Sequence, residues 1–468
     1  MVIRSKHLIA GYIFALIALA FMFLGDYTYI DQLDLLYIFL IFILAFLPTL
    51  IYLLSKSESK LIPLMPLHGI FYGAVMGWPA LSNKTRWFSE NSDSITDALV
   101  VTCLGLLALN LGYFLTKFLL KERRSPIQFL LSISPSKESF IGWTLYSVYL
   151  LFTIFPQLSD LPSVKNIAPV AMYLSLGILF NCLIKNKLSS IQKILYLIAF
   201  SYAVLSYIFI GQLAGAVFPF ILIGCIYWQE NKKLPLAQCI VVLLIIVALN
   251  PVKSVFRAVT DNDIVADLSF AERSVLFVNS VQWYFNSGGN LYSILSSDSS
   301  TVNRFAHISS LAKVVEKTPN EVPYWMGETY KPLFTFFIPR FIWADKPSET
   351  SGQTFGHRYS FLWPDDDTTS YNLPWITELY ANFGIIGVII GMLLIGFFFR
   401  LLVNYLSIDT PNRIEFIIGL SVTFELFFAD SNFSLLANGV FFKYILSLVL
   451  LRILSLKFNL GGQKIALD

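Results

Sequence analysis

What this sequence has least of is charge. Asp, Glu, Lys and Arg make up 13% of its 468 residues, about half of the quarter usual in a soluble domain. A chain so poor in charge cannot cover a globular surface with water-binding groups, and a large soluble fold is excluded. Cysteine is scarce too. The four present, Cys103, Cys182, Cys225 and Cys239, lie in or beside apolar runs, which argues against a disulfide framework and a thiolate metal site. Histidine also occurs four times, as His7, His68, His307 and His357, without metal-ligand spacing. No metal and no cofactor is expected. The net charge of +3 and the lack of a basic stripe with interleaved aromatics speak against nucleic acid.

What is abundant is apolar surface. Hydrophobic residues fill 56% of positions, with 42 Phe and 23 Tyr, which suits helices set against acyl chains and headgroups. A bilayer-crossing helix needs about 20 mostly apolar residues. Twelve segments qualify: 8–24, 35–54, 61–81, 96–118, 140–158, 167–184, 189–210, 213–229, 234–251, 376–399, 414–430 and 434–452. The third is interrupted by Pro63, Pro66, Gly69, Gly73, Gly77 and Pro79, and only Gly211-Gln212 separates the seventh from the eighth. Ala18-Leu19-Ala20 imitates a signal-peptidase site, but the apolar run continues to Leu24, which favours an uncleaved first helix. The expected architecture is an all-α polytopic membrane protein of about twelve spans. Residues 1–251 form an N-terminal bundle of about nine helices, 252–375 one large loop, and 376–468 about three more helices.

Orientation follows from Lys and Arg in the connections. With a cytoplasmic N-terminus, the cytoplasmic segments carry nineteen basic residues, and the short opposite connections carry only Lys84, Arg86 and Lys165. Both termini are therefore expected in the cytoplasm and the large loop outside it. That loop holds ten Lys/Arg, thirteen Asp/Glu, two His and five of the nine Trp. Stretches 269–285, 304–317 and 331–344 read as amphipathic helices, the last too short to span and apolar enough to lie in the interface.

Chemistry concentrates in the loop. Phe337-Ile338-Pro339-Arg340 followed by Trp343-Ala344-Asp345-Lys346-Pro347 sets a guanidinium near an ammonium on an interfacial element. This pair suits a diphosphate and equally suits anionic headgroups. Arg257, Arg273, Arg304 and Arg358 share the loop and would form an anion site if they converged on Arg340. His357 is a candidate general base beside Arg358. Asp365-Asp366-Asp367 could hold a divalent cation through hard oxygens or be a solvated turn. Glu378, about one turn into the tenth span, is a second candidate base, or a partner for a loop Arg. Glu425, Asp430 and Lys443 fall in the last hairpin, where Lys443 is expected to pair with one of the acids.

Three motifs, Gly327-Glu328-Thr329-Tyr330, the Arg340 run, and Glu378-Leu379-Tyr380-Ala381-Asn382-Phe383-Gly384-Ile385-Ile386-Gly387, in this order, resemble the O-antigen polymerase (Wzy-type) family of oligosaccharide repeat-unit polymerases. The motifs cover only 327–387, whereas the span pattern with its late large loop is similar over the whole chain. The resemblance implies a GT-C type glycosyltransferase of the bacterial inner membrane. It would join undecaprenyl-diphosphate-linked repeat units on the periplasmic face. Arg340 and Lys346 would bind the diphosphate, with Arg273, Arg304 and Arg358 as further candidates, and Glu378 and His357 would be catalytic. Its partners would be the lipid-linked donor and acceptor, membrane lipids and a chain-length regulator. Some members show paired loop motifs of Arg or His followed by ten residues and Gly. Here eleven residues lie between Arg340 and Gly352, and no second copy occurs. O-antigen ligases share the topology and loop Arg and His. A lipid-linked oligosaccharide flippase is the third reading, though no internal repeat supports it.

Reporter fusions at Lys232 and at Gly289 should report opposite sides of the membrane, with Lys232 cytoplasmic. Activity of one reporter type at both positions would remove the loop from the outer face.

Overall fold

The computed structural model describes residues 3–4, 30–81, 92–119, 137–159, 166–234, 236–259, 268–288, 306–335, 338, 343, 350–367, 369–407 and 413–457. These residues are almost wholly helical. The one exception is a two-residue antiparallel pairing of Ile3–Arg4 with Lys233–Leu234. The helices are α1 Gln32–Leu54, α2 Leu64–Tyr72, α3 Trp78–Ala80, α4 Ser92–Leu119, α5 Glu138–Ile154, α6 Ile167–Ile184, α7 Ser190–Ile208 and α8 Leu213–Asn231. They continue with α9 Leu236–Val259, α10 Phe270–Asn286, α11 His307–Lys317, α12 Ser351–Arg358, α13 Trp375–Leu406, α14 Ile414–Phe427 and α15 Phe433–Lys457.

Seven of them, α1, α4, α6, α7, α8, α13 and α15, are long and apolar enough to cross a membrane. The first expected span, 8–24, lies outside the described residues, and the other eleven expected spans all fall on helices. Several are shorter than a bilayer demands. At 1.5 Å per residue, α5 with 17 residues reaches about 26 Å and α14 with 14 about 21 Å, against a hydrocarbon core of about 30 Å. The expected span at 61–81 is broken: α2 runs into a π-turn over Gly73–Gly77 and ends in α3. The seventh and eighth spans are separate helices. Gly211, at φ +68°, makes the reversal between them, a backbone conformation that costs glycine little.

Two of the expected amphipathic stretches are helices. Ser269 caps α10 through a reciprocal bond with Glu272, the capping box that satisfies two otherwise unpaired donors. The acceptor role explains why burial-free Glu272 has its carboxyl held below the usual range by the Ser269 hydroxyl and amide. The second stretch folds as α11, beginning at His307; of the third, the first residues close a 3-10 turn over Glu328–Phe334, and most of the remainder lies outside the described residues.

Helix α13 is the axis of the molecule, and α4 lies along it with backbones almost touching. A Cβ on Gly112 of α4 would sit 2.0 Å from the Leu393 carbonyl oxygen, and one on Gly396 of α13 would sit 2.2 Å from that of Leu109. Apolar attraction between helices vanishes in lipid, so small residues that let backbones close replace it with van der Waals contact.

The two ends of α13 carry different chemistry. Near its C-terminal end, Arg400 donates to Glu58 Oε2 at 2.7 Å while Lys117 of α4 reaches Glu58 Oε1 at 2.9 Å. Other acids at loop-distal helix ends are paired as well, Glu138 with Lys187 at 2.9 Å and Glu230 with Arg413 and Lys185. Lys443 pairs with Glu425, as expected from sequence. The N-terminal end of α13 packs against α11 and the 3-10 turn over Glu328–Phe334.

Gly112→Ala should lower stability by about 1–3 kcal/mol through overpacking against a backbone that cannot yield. Leu115→Ala, one turn away and turned outward, should stay within about 0.5 kcal/mol. Thermal unfolding in detergent of both variants tests this, and equal losses would deny the close approach its role.

Candidate functional site

The N-terminal end of α13 is not a plain helix end. Pro374 precedes it in extended geometry, and Glu378 lies in its first turn, where the helix dipole favours a carboxylate. Six residues on, Gly384 adopts φ +66°, ψ −158°, far from helical values. This region is open almost only to glycine, and a Cβ here would also lie 2.8 Å from the Tyr324 hydroxyl. The break takes the amides of the next turn out of line, so the carbonyls of Ala381 and Asn382 need other donors.

The loop supplies them. Trp325 N–H donates to Ala381 O at 3.0 Å and Met326 N–H to Asn382 O at 3.2 Å. Gly327, at φ +88°, then turns its own N–H onto Asn382 Oδ1 at 2.9 Å. The Asn382 amide donates to Thr329 Oγ1 at 2.9 Å and to Glu378 O at 2.8 Å. Two of the three motifs singled out in the sequence, 327–330 and 378–384, are therefore hydrogen-bonded to each other through one fully buried asparagine.

A third strand of chain completes the centre. Helix α14 stops at Phe427, and the turn to α15 carries Asp430, Ser431 and Asn432 inward. Leu373 N–H donates to Asp430 O at 3.0 Å, Trp375 Nε1 to Ser431 O at 2.9 Å, and Phe433 N–H to Glu378 Oε2 at 2.7 Å. Ser434 Oγ donates to Thr329 O at 2.9 Å. The shortness of α14 has this as its cause: a longer helix would carry Asp430 and the Phe433 amide past the centre.

Around this frame lie further polar groups. Tyr72, the last residue before the π-turn, is within electrostatic reach of both Glu378 and Asp430. Tyr330 is within reach of Glu378 and Tyr72, and burial pushes its phenol well above the ordinary value, so it stays protonated. His307, at the start of α11, faces Asp430 with Nε2 3.7 Å from Oδ1.

Of the candidate residues from sequence, Glu378 lies fully buried at the heart of this centre. His357 does not join it. Its Nε2 lies 3.1 Å from Asp366 O; a carbonyl only accepts, so Nε2 carries the proton and Nδ1 is the basic nitrogen. Arg358 donates to Pro323 O and lies 5.1 Å over the Trp325 ring, so it braces the segment whose amides meet α13. Arg273 sits on α10 near Tyr202 of α7, on the helix whose Phe277 joins a separate apolar cluster with Val252 and Phe256. Arg304, Arg340 and Lys346 lie outside the described residues. The acidic run forms a turn, with Thr369 N–H donating to Asp366 Oδ1 at 2.9 Å. Among the described residues no group of three or more His, Cys, Asp or Glu side chains is placed to hold a metal ion.

Sequence reasoning gave His307 no role, read Asp430 only as a possible partner of Lys443, and missed the structural role of Asn382. Asn382 had a usable signal: an amide two residues before a glycine inside an apolar helix marks a break that needs satisfying. The His307–Asp430 pairing, between residues 123 positions apart, had none.

Helices of this length and apolarity, closed over a polar centre at one end, make this a polytopic helical membrane protein. The chain belongs to a domain family of unknown function, DUF8712, whose model matches residues 62–460 and so takes in the whole of the centre. No curated protein and no solved structure matches it.

Asn382→Leu should strand the Gly327 amide and the Thr329 hydroxyl, and Gly384→Ala should cost about 1–3 kcal/mol of backbone strain. Both should expose 318–335 to protease while the spanning helices stay protected. Unchanged cleavage in both variants would show that the segment docks by other means.

Proposed function

We propose that this protein is a membrane glycosyltransferase that polymerises undecaprenyl-diphosphate-linked oligosaccharide repeat units into O-antigen or a related surface polysaccharide. The observation that carries the reading is the union of the 327–330 and 378–384 motifs in one buried centre. Motifs that only decorate a loop have no reason to meet through a shared asparagine. The centre also lies where a lipid-linked substrate would present its headgroup, at the mouth of a spanning helix beneath the loop. A twelve-span GT-C arrangement with cytoplasmic termini fits the charge distribution.

In this reading the reaction is glycosyl transfer without a nucleotide sugar. The bond between the donor's anomeric carbon and the diphosphate oxygen breaks, its electron pair leaving with the diphosphate. A hydroxyl of the acceptor repeat forms the new glycosidic bond and gives up its proton to a base. Arg340 and Lys346 are assigned to the diphosphate, where a planar fork and a second cation stabilise the growing charge. Glu378 lines the centre. Arg358 acts on Trp325 and supports the loop.

Purified protein in lipid nanodiscs, given a synthetic undecaprenyl-diphosphate-linked repeat, should produce a ladder of longer lipid-linked chains. Arg340→Lys should cut the rate roughly a hundredfold, since charge remains but the bidentate fork is lost. Transfer only to an added lipid A-core acceptor would make the protein a ligase, and no transfer to either would remove the glycosyltransferase reading.

A further inference from the structure

We infer that Asp430 is the base that takes the acceptor hydroxyl's proton, with His307 as the residue that positions it. The inference rests on the glycosyl-transfer reading and names the acceptor side of that site.

Asp430 differs from every other acid of the centre in being both fixed and reachable. Its backbone carbonyl is held by Leu373 N–H, and the residues after it are held by Trp375 Nε1 and Glu378. Its side chain is 38% exposed, although Oδ1 itself is buried without a hydrogen bond. Glu378 is closer to the motif but 0% exposed, and it already accepts from the Phe433 amide. The Asp430 side chain is open to the surface at one edge, whereas Glu378 is sealed in the fold.

What faces Asp430 defines the ligand. His307 Nε2 lies 3.7 Å from Oδ1 and is also buried without a hydrogen bond. That separation is too long for a hydrogen bond, so each buried atom lacks a partner that it could otherwise use. One oxygen about 2.8 Å from each would satisfy both, provided it donates to the carboxylate and accepts from the ring N–H. A hydroxyl does both. A phosphate oxygen can only accept and would repel Asp430. The pair therefore selects a neutral hydroxyl-bearing ligand, which suits the acceptor and not the diphosphate. In the step itself the proton moves from the acceptor oxygen to Oδ1. The freed lone pair forms the bond to the anomeric carbon as the diphosphate leaves.

The test uses the full-length protein in nanodiscs with the lipid-linked repeat. Asp430→Asn keeps shape and backbone contacts, so it should melt like the wild type, hold the KM for donor within about threefold, and lower kcat a hundredfold or more, the range of a lost general base. His307→Gln, which retains an N–H donor, should keep several times more kcat than His307→Leu. An active wild type with Asp430→Asn above a third of its kcat would overturn the assignment and leave glycosyl transfer standing. So would equal losses in His307→Gln and His307→Leu at unchanged melting temperature, which would make His307 merely structural. An inactive wild type refutes the underlying reading instead.

Discussion

A main-chain carbonyl freed from its helix in a region that water does not reach must find another donor, because leaving it bare costs as much as several good contacts return. At Gly384 this protein frees two such carbonyls, at Ala381 and Asn382. The requirement that they be met fixes where the segment 325–327 runs. It places Gly327 where a positive φ is needed, and it sets the Asn382 side chain as the joint through which Thr329 and Glu378 are tied together. The interior end of the loop is thus positioned by the helix it covers.

The far end of α13 works on a different principle. Arg400 and Lys117 both converge on Glu58, two cations on one buried acid. Such arrangements add little net stability against an apolar alternative, yet losing one member leaves a charge without compensation. They therefore specify how α4, α13 and the approach to α2 are assembled. Between the two ends, the glycine contact of Gly112 and Gly396 keeps α4 and α13 at backbone distance, so a shift at one end cannot be absorbed by loose packing between them.

Much of this was legible in the sequence, and the illegible parts share a cause. Apolar runs located the helices, because a bilayer demands them. The amphipathic stretch 269–285 located α10, and Gly211 marked the break between the seventh and eighth spans. Composition could not tell that the segment at 61–81 is broken by a π-turn or that α14 ends early. Both departures serve the polar centre, bringing Tyr72 to it from one side and Asp430 from the other. The loop arginines read as one possible anion site, yet Arg273 sits with Tyr202 and Arg358 with Trp325. Sequence shows which cations are available and not which face they share. His307 and Asp430 meet only because α11 and the α14–α15 turn are both folded against the start of α13.

The bonds that dock Trp325 and Met326 onto α13 use main-chain atoms on both partners. Backbone recognition of this sort is indifferent to the side chains that ride on it. Met326, with its side chain largely exposed, can drift without loosening the closure, whereas Trp325 is held by its ring as well, under Arg358 and against Phe355 and Tyr359. Asn382, Gly384 and Gly327 have no such freedom, since each supplies a side-chain amide or a backbone angle that few or no other residues offer. The fold thereby separates what can vary from what cannot within a stretch of three consecutive loop residues, a layout that lets an outward side chain change while the closure beneath it stays in place.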